Sequence, residues 1–479
     1  STLSTGSDAI ENLLLFGSAV SGTGDASANS IVGNNIANSL SGQGGNDTIR
    51  GLGGADTLSG GAGSDRLEGG TGADIIFGGA DNDTLIGGGG DDQLLGGLGN
   101  DSINAGLGND TVFVNEGADT VSGASGNDVF VVQDSYGTGQ SLFGDAGTDT
   151  LNLGNLTGPG GIRADLNSGF RKASASTDEV LLSGIENIVG SNFNDTLLGD
   201  SNTNVILGGL GNDGINGRGG NDTMFGGAGN DTLNGGGGVD QLHGEAGDDI
   251  YYVDSGSDAI LEATGEGIDS VFANASYRLG HNVENLNFLG SSNFTGNGNT
   301  LNNFIVGNSG ANMLFGHEGN DTPIGGSGFV ADTLNGGSGA DEMRGGDGND
   351  IYYVDNVNDR VLEDDTIDLD TIHSTIDFSL MSVNNVENLT HLGSTGWTGT
   401  GNDDNNRITG GGGNDLIRGE DGQDTIVGGA GNDTLEGGRG FDILRGGAGD
   451  DYFQDGFHPD RMFGEAGNDT FLLSLAIET

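Results

Sequence analysis

The residue whose type and spacing could do chemistry in this chain is aspartate. From Gly42 to Val131 it recurs every ninth position: Asp47, Asp56, Asp65, Asp74, Asp83, Asp92, Asp101, Asp110, Asp119 and Asp128. The register returns in 190–252 with Asp195, Asp213, Asp222, Asp231, Asp240 and Asp249, and in 298–353 with Asp321, Asp332, Asp341 and Asp350. It returns once more in 401–472 with Asp415, Asp424, Asp433, Asp442, Asp451, Asp460 and Asp469. An isolated pair of nonads at 135–152 adds Gln140 and Asp149, and Asn takes the position at Asn29, Asn38, Asn204, Asn303, Asn312 and Asn406. Carboxylates at a fixed interval, with no Cys in the chain and no His among them, offer oxygen ligands only. That is the donor set of a hard cation, and Ca²⁺ suits it. A solvated acidic face does not explain a nine-residue period.

The elements that must position these carboxylates follow from the rest of the nonad. Two residues after each Asp comes an apolar side chain, such as Ile49, Leu58, Leu67 and Ile76, and Gly commonly fills the first, second and fourth positions, as in GGAGSDRLE (60–68). Gly permits positive φ and close backbone approach in a turn. The three residues around the apolar one form a strand of period two, whose middle side chain points one way and whose neighbours point the other. Each nonad is therefore a six-residue turn plus a three-residue strand, and two nonads close one flattened coil with the apolar residues inside. Coils stacked at the strand spacing of about 4.8 Å place each turn beneath the turn two nonads on, so that Asp faces Asp and backbone carbonyls. Counting the stacked pairs in which both turns supply Asp gives about 19 sites, or more if the connectors contribute.

Composition narrows the possible roles. Asp and Glu number 71 against 14 Lys and Arg in 479 residues, for a net charge of −57. With 33% hydrophobic residues and 101 Gly, such a chain does not collapse by apolar burial alone, and something must neutralise its carboxylates. Ca²⁺ at every counted site would bring the balance to roughly −19. Clustered Lys and Arg for phosphate contacts are missing, which argues against nucleic acid as a partner. No apolar run is long enough to span a membrane. Without Cys there is no disulfide framework, and three Pro without a three-residue Gly period exclude collagen.

The pattern G-G-x-G-x-D-x-U-x resembles the calcium-binding nonapeptide repeat of RTX (hemolysin-type) proteins. The resemblance implies an all-β fold, a parallel β-roll or solenoid holding Ca²⁺ between successive turns, and secretion by a type I system of a Gram-negative bacterium. Two departures stand out. Pro323 replaces an apolar strand residue, and GGSGFVADTLN (325–335) carries two extra residues, so weaker sites are expected at Asp321 and Asp332. Asn in place of Asp should give weak sites or none.

The expected order is the end of a connector (1–23), roll 1 (24–152), a connector (153–189), roll 2 (190–252), a connector (253–297), roll 3 (298–353), a connector (354–400), and roll 4 with a short tail LSLAIET (401–479). The first residues read as the second half of a connector, so the chain is expected to begin within a module. The connectors alternate apolar and polar residues in short runs, which reads as strands, and repeat the phrases IENL (10–13), IENI (185–188) and VENL (283–286 and 386–389). Their acidic residues Asp254, Asp258, Glu262, Asp355, Asp359 and Glu363 read as solvated strand edges, with further cation ligands as the alternative. Phe130, Tyr251, Tyr352 and Phe453 take the inward position near the end of each roll and read as caps on the core. Trp397, matched by Phe294, reads as packing against the roll, with sugar stacking as the alternative.

No catalytic constellation is found: the six His have no zinc-ligand spacing and read as surface residues, and a nucleophile elbow is missing. The expected function is an extracellular calcium-binding structural or interaction protein of surface-layer, matrix or adhesin type, folding on Ca²⁺, with self-association or a cell-surface polysaccharide as candidate partners. The alternatives are the RTX region of a secreted enzyme whose catalytic domain lies elsewhere, or an array of polysaccharide-binding modules.

Overall fold

The computed structural model describes residues 11–157, 160–172, 180–363 and 368–473. Two compact units divide the chain, residues 1–252 with 257–261 and residues 253–256 with 262–479. Both are parallel β-solenoids, and the only helical element among the described residues is the single 3-10 turn Leu380–Ser382. No helix there is long and apolar enough to cross a membrane.

In the first unit successive nonads alternate between two sheets. One runs in nine strands from Asn12–Leu14 to Leu181–Ser183, and its partner in thirteen from Ser21–Thr23 to Ala259–Ile260. Pairing advances by two nonads: Ile49 lies beside Leu67, and Leu67 beside Leu85. The inward residues Ile49, Leu58, Leu67, Ile76, Leu85 and Leu94 are fully buried. Many strands, such as Thr57–Ala62 and Thr84–Gly89, are six residues long rather than the three expected. The ladder continues past the apolar residue into the glycines, with Gly61 paired to Gly79, because the turns stack in the same register as the strands.

Residues 153–189 take part in the sheets. Leu181–Ser183 pairs with Ser141–Phe143, and Asn187–Val189 joins Thr150–Asn152 to Val205–Leu210. Ile162–Asp165 pairs antiparallel with Gly169–Lys172, which also bridges antiparallel from Phe170 to Val180, and in parallel with Thr196–Leu198, where a further sheet begins.

The second unit repeats the design. An eleven-stranded sheet runs from Tyr277–Arg278 to Arg461–Ala466, and a six-stranded one from Phe378–Ser379 to Thr470–Leu472. Residues 354–400 again supply strands to both, through Thr371–Ser374 and Asn388–His391 and through Thr398–Thr400. Pro323 sits buried beside Ile305 in the inward row. Having no N–H to give the ladder, it leaves 322–324 paired to 342–344 only at Ile324 and Arg344.

Phe130, Tyr251, Tyr352 and Phe453 are fully buried. Phe130, Tyr352 and Phe453 are interior rungs rather than end caps, lying between Val112 and Leu151, Leu334 and Ile372, and Leu435 and Phe471. Trp397 is core: its ring stacks on His391 at 5.0 Å and its Nε1–H donates to Ile376 O at 2.6 Å. His391 is accordingly buried, against the expectation of a surface histidine. The tail residues 474–479 and residues 1–10 lie outside the described residues.

Candidate metal sites

Coil after coil delivers its Asp to the same place, where Oδ1 accepts the backbone N–H of the Asp or Asn one coil earlier. Asp47 N–H donates to Asp65 at 2.7 Å, Asp56 to Asp74 at 2.7 Å, Asp65 to Asp83 at 2.7 Å and Asp74 to Asp92 at 2.7 Å. Asp83, Asp92, Asp101 and Asp110 continue to Asp101, Asp110, Asp119 and Asp128 at 2.8–2.9 Å. The same bond joins Asp195 to Asp213, Asp213 to Asp231, Asp222 to Asp240, and Asp231 to Asp249. In the second unit it joins Asp415 to Asp433, Asp424 to Asp442, Asp433 to Asp451, Asp442 to Asp460 and Asp451 to Asp469. The two-residue insertion is absorbed in the turn: Asp321 still donates to Asp341, and Asp332 to Asp350, both at 2.7 Å.

Oδ2 has a different fate. At Asp47, Asp56, Asp65, Asp74, Asp83, Asp92, Asp101, Asp110, Asp128 and Asp149 it is buried without a hydrogen-bond partner, and so it is at Asp213, Asp222, Asp231, Asp321, Asp341, Asp424, Asp433, Asp442, Asp451 and Asp460. One such orphan costs about 1–3 kcal/mol, so a regular file of them needs a counterpart. The glycines show where it belongs. A Cβ on Gly60 would lie 2.2 Å from Asp65 Oδ2 and 2.6 Å from Gly78 O, and on Gly69 2.3 Å from Asp74 Oδ2 and 2.6 Å from Gly87 O. Carboxylate and carbonyl oxygens from successive coils thus converge over the first Gly of each nonad, a cradle of hard ligands that fits Ca²⁺.

Electrostatics points the same way. Burial pushes the carboxyls of Asp65 and Asp74 up to about 6 and those of Asp83 and Asp92 to about 7, opposed by the backbone N–H each accepts and aided by neighbouring carboxylates. Several of the chain's own cations are engaged elsewhere. Arg50, Arg344, Arg360, Arg418 and Arg445 pair with Glu68, Glu342, Glu436 and Glu465. Asp165 shows what neutralisation from within looks like: Arg218 grips it at 2.8 Å and helps hold its carboxyl below the usual range against the opposing pull of burial.

Three of the expected ligands stand apart, among them Asp119, whose carboxyl accepts a hydrogen bond from the Gln140 side chain. Asp195 accepts N–H groups of Ile162 and Ser191 on its two oxygens, and Asp415 those of Trp397 and Gly411. The Asn turns are closed by their own amides. Asn204 Oδ1 accepts Asp200 N–H at 2.8 Å while Nδ2 donates to Glu186 O at 2.8 Å. Asn38 bonds likewise to Asn34 N–H and Ala19 O, and Asn303 to Asn299 N–H and Val283 O. A carboxamide N–H here meets a carbonyl in place of a cation.

Glutamates that the nine-residue register does not find extend the ladder. Asp149 N–H donates to Glu186 Oε2 at 2.8 Å, Asp269 N–H to Glu284 at 2.9 Å and Asp370 N–H to Glu387 at 3.0 Å. Each Glu belongs to the recurring I/V-E-N-L/I phrase, which was the available signal. Asp258 and Asp359 accept the N–H of Asp240 and Asp341 at 3.2 Å. Those two and the buried Glu363 are therefore not solvated edges, whereas Asp254 and Asp355 are exposed as expected.

A parallel solenoid with a carboxylate ladder along its turns defines a class of protein whose repeat is completed by a bound cation. The RTX calcium-binding nonapeptide repeat matches residues 23–130, 182–260, 297–361 and 400–471, about two-thirds of the chain. The chain belongs to that family, and is a calcium-binding RTX β-roll protein. Comparison with curated proteins finds no match.

Proposed function

We propose that this chain is a structural or interaction protein of the cell exterior, exported unfolded and folded by the Ca²⁺ it meets there. The observation that carries the proposal is the file of buried, unpartnered Asp Oδ2 atoms. Where free Ca²⁺ is scarce, their mutual repulsion and the entropy of a Gly-rich chain oppose folding. Near-millimolar Ca²⁺ outside the cell matches the affinity of weak extracellular sites, so binding free energy becomes folding free energy. Nearest-neighbour stacking makes the transition cooperative along each solenoid. Roll aspartates from Asp47 to Asp469 are the proposed ligands, with Asp195 and Asp415 the weakest among them. Type I secretion follows from family resemblance.

Strand pairing that runs through rolls and connectors alike favours a scaffold over a catalytic role, with self-association or a surface polysaccharide as the partner. The test is far-UV circular dichroism and negative-stain microscopy with EGTA and with about 1–5 mM Ca²⁺. Ca²⁺-dependent β-structure with sheets or filaments supports the scaffold. Compact monomeric rods would favour the folding region of a larger secreted enzyme. A β signal equal in EGTA and Ca²⁺ refutes calcium-driven folding.

A further inference from the structure

In the second unit one carboxylate from outside the nonad register joins two of the ladder. Asp350, Glu363 and Asp370 each bring an oxygen to a point where all three lie within 4.8 Å of one another, and all three residues are buried. Asp350 and Asp370 are joined in the ordinary way, Asp350 N–H donating to Asp370 Oδ1 at 2.7 Å. Glu363 belongs to no nonad. It enters from the segment that follows Arg360–Leu362, and it meets the Tyr352 hydroxyl through Oε1.

Tyr352 fixes that meeting. Its hydroxyl accepts Gly345 N–H at 2.7 Å, which leaves its own proton for Glu363. The ring is fully buried in the inward row beside Leu334. An aliphatic residue, the commoner choice in this row, has no such handle.

The second, independent observation is Asp350 itself. It is 0% exposed, its Oδ1 is occupied by Asp332 N–H at 2.7 Å, and its Oδ2 has no partner. That Oδ2 is aimed at the cluster: a Cβ built on Gly345 would lie 2.1 Å from it and 2.2 Å from the Tyr352 hydroxyl that holds Glu363. Arg344 and Arg360, close by in sequence, both pair with Glu342. Three buried carboxylates converging on one point are stable only with a cation or shared protons between them.

We propose that Glu363 adds a third carboxylate to the Ca²⁺ site of the ladder pair Asp350 and Asp370, with Tyr352 as the residue that positions it. The proposal rests on the ladder reading above, because two of its three ligands are ladder members. Its consequence is a firmer anchor where the chain passes from the nonads of 298–353 into the segment beyond. A third carboxylate raises ligand charge, and calcium affinity rises with it.

Tb³⁺ replacing Ca²⁺ in the full chain, excited through tyrosine, tests this directly. Tyr352→Phe should remove a definite share of the sensitised emission. Glu363→Gln should remove the same share, and the double variant no more than either alone. Glu363→Asp, which keeps a carboxylate, should restore part of it and guards against a folding defect in the Gln variant. Circular dichroism on the same samples separates the two readings. If the unaltered chain gains no β-structure with Ca²⁺, the ladder reading fails. If it folds with Ca²⁺ and Glu363→Gln keeps the full emission, the carboxylates share protons instead and the three-carboxylate site is refuted.

Discussion

Converting one Asn turn into an Asp turn tests the ladder at a single position. Asn204 is fully buried; its Nδ2 donates to Glu186 O at 2.8 Å and to Asp200 Oδ1 at 3.2 Å, and its N–H donates to Asp222 Oδ1 at 2.8 Å. Asn204→Asp removes both side-chain donors and sets a carboxylate oxygen against a carbonyl and a second carboxylate. Loss of buried hydrogen bonds with the acceptors left unpaired costs about 2–4 kcal/mol. If a cation then enters, binding returns RT ln(1 + [Ca²⁺]/Kd), which is about 2 kcal/mol at 5 mM for a Kd near 0.1 mM, and under 0.5 kcal/mol at 0.1 mM. Asn204→Leu removes the same donors but offers no ligand. Urea unfolding at 0.1 and 5 mM Ca²⁺, followed by circular dichroism, should therefore show the Asp variant recovering about 2 kcal/mol relative to the unaltered chain, and the Leu variant recovering none. An Asp variant equally destabilised at both concentrations would refute the view that amide and cation are interchangeable in this turn.

Two further outcomes follow from the geometry. Folded-state values of about 6 for Asp65 and about 7 for Asp83 stand above the ordinary 3.8, so protonation favours the stack. In EGTA this stabilisation should be fully present below about pH 4 and vanish as pH rises through 6–7, whereas in Ca²⁺ the same acidification should weaken binding; a circular dichroism titration that shows no acid-induced β gain in EGTA contradicts the burial of these groups. Gly60→Ala should destabilise by about 3 kcal/mol or more, since its Cβ would meet Asp65 Oδ2 and Gly78 O. Gly160→Ala, with nothing within 4 Å, should stay within about 0.5 kcal/mol in the same urea assay.

What was legible in the sequence is what the nonad dictates locally. Ile49, Leu58 and their equivalents could be placed inward because a strand of period two allows one inward residue between two others, and they are fully buried. Stacking of each turn on the turn two nonads later followed from closing a coil with two strands, and Asp47 indeed meets Asp65. Less legible was whatever depends on contact between coils that do not share the register. The nine-residue rule breaks at Asp149, yet the ladder does not, because Glu186 reaches the Asp149 N–H from 37 residues away with a longer side chain. The same substitution of reach for register occurs at Glu284 and Glu387.

Those three glutamates bear on how the solenoid crosses its irregular segments. A carboxylate ladder interrupted at each connector would leave the terminal Asp N–H without an acceptor, a buried donor costing about 1–3 kcal/mol. In each of the two units a Glu of the I/V-E-N-L/I phrase supplies that acceptor, and the next residue heads a strand, Asn187–Val189 or Asn388–His391 among them. The phrase thus does in the connector what the sixth residue does in the nonad. Its recurrence ahead of the rolls is explained by a hydrogen bond that the preceding coil requires.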